Sequence, residues 1–445
     1  MNSVAQPIER YRQLIDQARD GLAGRDPGWL EQRRGEAAEQ FARLGFPDRK
    51  QEAWRYSSVE GLLEQSFVPA NEPFTALDEA DTAEYLSPEY RSYRLVMANG
   101  RLVPGLSRLQ GLPAGVRIQS LSEVLAATPE RLGGWLGQAA GAADHAFSAL
   151  NTAMVSDGLY VHVEAGVRVD KPIEVLFLTL AQEQPILAQP RNLVVMEPGA
   201  QATLVERYAS PGHSLYFNNA LVEVLLQEGA RLEHYRVQEE SSGAYHISSL
   251  YVRQEGDSRY DSTCLALGGA WSRTGCNVDF QGPGASAELN GLYVVGGRRF
   301  ADFHLDVRHR VADCASRENY KGIMLGRGRA VFDGRIVVAQ DAQRTDAHLS
   351  NANLLLSRNA EVDTKPQLEI YADDVKCSHG TTVGQLDPEQ VFYLRSRGID
   401  AAEARKMLCL GFAGEVLEGC TVEGLQERVQ NSLRERLDTA GAVGE

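Results

Sequence analysis

The segment Cys377-Ser378-His379 holds the residue types best suited to metal chemistry. In an extended strand, residues i and i+2 share a face, which would set a thiol and an imidazole side by side. Iron, zinc and copper favour those two ligands. Two ligands leave a tetrahedral site half built, and Lys376, Thr381 and Thr382 supply none of the rest. Any metal held here therefore needs ligands from a second chain. The plainer reading is a buried cysteine next to a turn histidine.

Other candidates are weaker. Cys264, Cys276, Cys314, Cys409 and Cys420 form no C-x-x-C pair and read as small buried hydrophobes in a reducing compartment. His304 and His309 stand five apart in an alternating strand, so they face opposite ways. His348 sits in the polar run Arg344-Thr345-Asp346-Ala347-His348-Leu349, where a surface or packing role is expected. The chain has no P-loop, nucleophile elbow or H-E-x-x-H motif. Gly326-Arg327-Gly328 precedes strand formers, so it reads as a turn and not as a nucleotide-binding loop.

The 445 residues are 43% hydrophobic and 24% charged, which excludes global disorder. Acids outnumber bases by 60 to 45, and a net charge of −15 repels nucleic acid and anionic membranes. No run of apolar residues is long enough to span a bilayer. Charged residues throughout Met1 to Asp20 argue against a secretory signal, so the cytoplasm is expected.

Four regions must position the candidate residues. Residues 1–89 are a helical region, with Ile8, Tyr11, Ile15, Ala18 and Leu22 on one stripe. Asp26-Pro27 reads as a cap and first-turn proline of a second helix, which Gly45 ends. Residues 90–158 mix a strand at Tyr93 to Met97, a tight turn at Asn99-Gly100 and helical signals at Leu121 to Ala126 and Pro129 to Leu136. Residues 387–445 return to helix, with Asp387-Pro388 as a cap and Asp400 to Glu403 as a capping box. Val422, Leu425, Val429, Leu433 and Leu437 mark the apolar face of a last helix from Thr421.

Residues 159–386 repeat one phrase. Gly166-Val167-Arg168-Val169, Gly199-Ala200-Gln201-Ala202, Gly229-Ala230-Arg231-Leu232, Gly284-Ala285-Ser286-Ala287 and Asn359-Ala360-Glu361-Val362 are its clearest forms. Gly256-Asp257 and Gly328-Arg329 begin looser copies, and the intervals are 33, 30, 27, 28, 44 and 31 residues. A period near thirty, built of strands and turns without helix, points to a right-handed parallel β-helix. Its interior should be a stack of Val, Leu, Ile and Ala. An antiparallel β-sandwich is the alternative, but sandwiches lack a repeated turn phrase. Cys377-Ser378-His379 falls in the last strand before the C-terminal helices, where a solenoid presents an unpaired edge.

Three segments carry a family resemblance. The stretch from Asp373 through Cys377-Ser378-His379 to Asp387, followed by Phe392 to Ile399, resembles the C-terminal signature of the SufD family of iron–sulfur cluster assembly subunits. Gly45-Phe46-Pro47 through Trp54-Arg55-Tyr56-Ser57 is similar to the family's N-terminal motif, and Arg191 to Ala200 to an early core rung. The SufB branch fits less well, because its cysteine one strand earlier has no counterpart between Asn359 and Pro366.

The resemblance implies a non-enzymatic scaffold of the SUF system. Such subunits pair with SufB through the β-helix end and bind the SufC ATPase through C-terminal helices. A transient iron–sulfur cluster forms at the SufB interface, where the resemblance places His379 and its neighbour Cys377. A homodimer through the same edge is possible in isolation. In that family flavin has been associated with the whole complex. Two other classes compete: a β-helix carbohydrate lyase or hydrolase with acids along its flank, and a homodimeric zinc or iron storage protein.

Overall fold

The computed structural model describes residues 5–20, 27–70, 77–86, 91–140 and 145–442. Leu22 and Asp26, assigned above to a helical stripe and a cap, lie outside them. The chain is a β-solenoid of about eight coils with helices at its N- and C-terminal ends.

Each coil supplies one strand to each of two facing sheets. The first sheet runs from Val116–Ser120 and Leu159–Val163 to Glu361–Ile370, and the second from Tyr93–Ala98 to Lys376–Gly384. From Arg191 onward every strand pairs in parallel with the strand one coil away. Register explains the repeat. The successive partners Gln201, Arg231, Arg259, Ser286, Ala315, Asp346 and Lys376 are 27 to 31 residues apart.

The 44-residue interval in the sequence reading has a simple origin. Gly166, Gly199, Gly229 and Gly284 turn the chain from the first sheet to the second, all at positive φ. Gly328 and Asn359 belong to the opposite corner, so the count switched corners midway. At the looser copies the positive φ falls on Asp257 and Gly326 instead of Gly256 and Gly328. Asp313 and Arg344 take the same conformation in the later coils.

Alternation sends one residue in two toward the lumen. Val194, Val224, Val252, Val278, Val307, Ile336 and Leu368 form one unbroken inward column, a β-branched or leucine side chain at every coil. Burying each is worth roughly 1.5–3 kcal/mol. The interior is not purely aliphatic, however. Glu206, His234 and Arg236 are fully or almost fully buried inside it. Asn192 donates to Glu206 at 2.9 Å, Arg236 Nε donates to the other carboxylate oxygen at 3.0 Å, and His234 Nδ1 lies 2.9 Å from the Tyr260 hydroxyl. Burial alone would raise the Glu206 pKa, but His234 and Arg236 hold it near 2. Buried charge is tolerated here because it is paired and hydrogen-bonded.

Helices cover both flanks. Ala5–Asp20 and Gly28–Leu44, with Phe46 just beyond, bring Tyr11, Phe41 and Phe46 against Phe147 of the helix Ala146–Ala153 and against Phe217 and Ile247 on the first sheet's outer face. Pro27 occupies the N-cap of Gly28–Leu44 without a side-chain cap, and Gly45 ends the helix at φ 61°. The C-terminal helices Ala401–Gly414 and Leu425–Ala442 lay Cys409, Ala413, Leu425, Val429 and Leu433 over Val205, Val237, Leu265, Leu292 and Ile323 of the second sheet. The last helix thus starts at Leu425, with Val422 already buried ahead of it. Asp400 accepts from Ala402 N and Glu403 N, while the Glu403 carboxylate pairs with Lys406 at 3.0 Å. No helix among the described residues is long and apolar enough to cross a membrane.

Candidate functional site at the open end of the solenoid

The strands Glu361–Ile370 and Lys376–Gly384 are the last of their sheets, and among the described residues no further strand pairs with them. Their inward residues are the floor of an open lumen. Cys377 lies opposite Ala347 and His379 opposite Leu349, both of which are core residues. The thiol and the imidazole therefore share one face, as period-two geometry requires, and that face is the inner one. Cys377 is half-buried against the core, whereas His379 is exposed because no described residue lies above it. Burial raises the Cys377 thiol pKa, and the Asp346 and Glu318 carboxylates push it the same way against a backbone hydrogen bond from Ala347.

A polar floor lies beside them. The Thr364 hydroxyl is 2.9 Å from that of Thr381 across the lumen and donates to Asn351 at 3.0 Å. Asn351 and Asn353 continue the bonding to the Tyr293 hydroxyl at 3.0 and 2.5 Å. His348 is not part of this site. It sits opposite Ser378 on the outer face, with Nε2 2.8 Å from Asp346 Oδ1. Among the described residues no three His, Cys, Asp or Glu side chains converge as a metal site.

The N-terminal motif reaches this same end. Glu52 pairs with Lys365 of the terminal strand at 2.7 Å, and Lys365 lies 3.7 Å from Asp333. The Arg273 guanidinium lies 3.7 Å from the Trp54 ring centroid, donates to Ala53 O at 2.9 Å and pairs with the buried Asp302 carboxylate. Ser57 donates to that carboxylate too, and His304 Nε2 lies 3.0 Å from its other oxygen. His309, five residues on, is buried on the opposite face, as expected.

A family model described as SUF system FeS cluster assembly, SufBD core domain, matches residues 178–412, and one for the SufBD protein N-terminal region matches 5–175. The chain belongs to the SufBD family. It is 34% identical to the iron–sulfur cluster assembly protein SufD of Escherichia coli, over 90% of this chain and 91% of that one. An iron–sulfur cluster assembly SufBD family protein of Synechocystis is 36% identical over 93% and 92% of the two chains. Protein ABCI7, chloroplastic, of Arabidopsis thaliana is 28% identical over 95% and 90%.

One feature of this SufBD chain escaped the sequence reading. Glu318 occupies the inward column of His379, two strands below it with Leu349 between, at about 10 Å by strand spacing. It is buried, neither of its oxygens makes a well-formed hydrogen bond among the described residues, and burial pushes its pKa up to about 8. Only the register betrays it, since Arg317-Glu318 reads as a surface pair.

The folded chain keeps the Glu318 proton between the ordinary value of 4.5 and about 8, while the unfolded chain releases it. The contribution to stability is complete below 4.5 and is lost as pH rises through 8. Glu318→Gln should therefore gain on the parent chain with rising pH, by a few kcal/mol in order of magnitude. Urea midpoints of the two proteins at pH 5.5 and 8.5 test this. An equal difference at both pH values would disprove a titrating Glu318.

Proposed function

We propose that this chain is a non-catalytic SUF scaffold that pairs with SufB across the open end of its solenoid and carries the SufC ATPase on its C-terminal helices. A transient cluster would sit at the pairing interface, with His379 as this chain's ligand and the remaining ligands from SufB. Without SufB, a second copy could occupy the same edge. The observation that carries this reading is the bare edge with Cys377 and His379 turned into its lumen.

The two edges are not equivalent. Lys376 N donates to Thr345 O, so in this parallel ladder Lys376, Ser378, Gly380 and Thr382 face their neighbour. Cys377, His379, Thr381 and Val383 aim their amides outward. In the other sheet Glu361 N donates to Gly328 O, which turns Val362, Thr364, Pro366 and Leu368 outward. Pro366 has no N–H to offer, so that edge is interrupted midway. Strand addition should favour Lys376–Gly384.

For SufC, the helix Pro388–Ser396 is the best-suited surface, as it buries none of its residues. Phe392 is 72% and Tyr393 57% exposed, with Met407 of the next helix at 43%. Other apolar positions of this region, Leu410 and Phe412, are spent on the solenoid flank. Deleting everything from Asp387 would strip that flank and is a poor test. Point variants are cleaner. In co-expression with SufB and SufC, Phe392→Asp with Tyr393→Asp should lose SufC and retain SufB. Thr381→Pro with Val383→Pro removes two outward amides without touching the internal ladder, and should lose SufB and retain SufC. Full recovery of both partners by both variants, read by mass spectrometry of the purified complex, would reject the scaffold reading.

A further inference from the structure

A second surface lies at the other end of the molecule, where three parts of the chain meet. The segment Arg168 to Pro172, the outer face of the second sheet and the Thr421-Val422 turn enclose a groove of about 500 Å³. Its base is a ladder at one register position. Arg168 bridges to Gln201, Gln201 pairs with Arg231, and Arg231 pairs with Arg259. Strand spacing puts Arg231 about 4.8 Å from Arg259 and about 9.6 Å from Arg168 along the ladder. Lys171 adds a fourth cation, its Nζ 4.9 Å from the Tyr93 ring centroid.

Of the three carboxylates in the same groove only Asp261 is ion-paired, while Asp170 and Glu233 accept from neutral hydroxyls and keep their charge. Asp170 accepts from the Tyr93 hydroxyl at 2.8 Å, and Asp261 takes Arg259 Nε on both oxygens at 3.0 and 2.7 Å. Glu233 accepts from Thr203 at 3.5 Å and from the Thr421 hydroxyl. Arg168, Lys171 and Arg231 have no ion-pair partner among the described residues. In a chain of net charge −15, a groove with four cations against three carboxylates is a local exception. The rim is fixed as well, because Thr421 N donates to the Tyr235 hydroxyl at 3.0 Å. Arginines one or two strand spacings apart can each offer two parallel N–H donors to a phosphate or carboxylate group.

We propose that this groove binds a small polyanion with charged groups spaced to reach Arg231 and Arg168 together, either a pyrophosphate-bearing molecule or a polycarboxylate. The site is independent of the scaffold reading, since none of its residues lies at the open end or on Pro388–Ser396. Calorimetric titration of the full chain with sodium pyrophosphate and, separately, with citrate at constant ionic strength tests it. At least one should bind saturably at one site per chain, and whichever does identifies the chemical source. Arg168→Ala and Arg231→Ala should each weaken that binding by roughly tenfold or more, as expected for loss of a charged hydrogen-bond partner. Arg298→Ala, an exposed arginine outside the groove, should leave it unchanged. Failure of both probes to saturate would overturn the assignment. So would equal binding by the parent, Arg168→Ala and Arg231→Ala proteins, or an equal loss in Arg298→Ala.

Discussion

Replacing His379 by alanine is expected to cut the iron and sulfide content of the co-expressed complex by tenfold or more, the scale on which metal sites lose affinity when their supporting groups are removed. The fold should not change, because the side chain is exposed at the open lumen and packs against nothing above it. Partner binding should persist too, since the strand pairs through its backbone. Cys377→Ala should cause a smaller loss. Its thiol is half-buried against the core with a raised pKa, and a metal needs the thiolate. His348→Ala should cause none, as that ring faces outward onto Asp346 and Ser378. Full cluster loading with alanine at 379 would remove His379 from the ligand set.

The second large effect is on stability. Asp302→Ala would leave the Arg273 guanidinium without its counter-charge and take an acceptor from Ser57 and His304. Burial already lowers the Arg273 pKa, while Arg273 and His304 hold Asp302 near 2 against the upward pull of burial. Breaking one side of a buried pair typically costs 3–5 kcal/mol, and a loss of about that order is expected here. Glu52→Ala should matter far less, since its pair with Lys365 is solvent-exposed on the Glu52 side. Tryptophan fluorescence during urea unfolding reads this region directly, because Trp54 stacks on Trp271 at 6.5 Å. A midpoint for Asp302→Ala equal to that of the parent chain would show the pair to be dispensable.

The period-two alternation and the thirty-residue repeat made the solenoid legible, and with it the shared face of Cys377 and His379. What the repeat could not reveal was which corner a glycine turned, because both corners need positive φ and Gly326 looks no different from Gly199. Nor could alternation tell lumen from exterior for polar residues. His234, Arg236 and Glu318 resemble surface residues in sequence, and only pairing with Leu204, Glu206 and Leu349 places them inside. The C-terminal helices were legible as amphipathic. That their apolar stripe lies along the flank, not over the end, depends on tertiary packing against Val205 and Leu265.

The docking of the N-terminal motif also fixes an order of events during synthesis. Ser57 bonds to a residue 245 positions later, and Glu52 to one 313 positions later. At about 5–20 residues per second, translation needs some tens of seconds between making Trp54 and making the coils that cover it. Through that interval Trp54 can meet Phe147 at 5.6 Å but not yet Arg273 or Trp271. Contacts so distant in sequence close last and slowly. The segment that comes off the ribosome among the first thus completes its contacts among the last, once Arg273 and Asp302 and then Lys365 have been laid down.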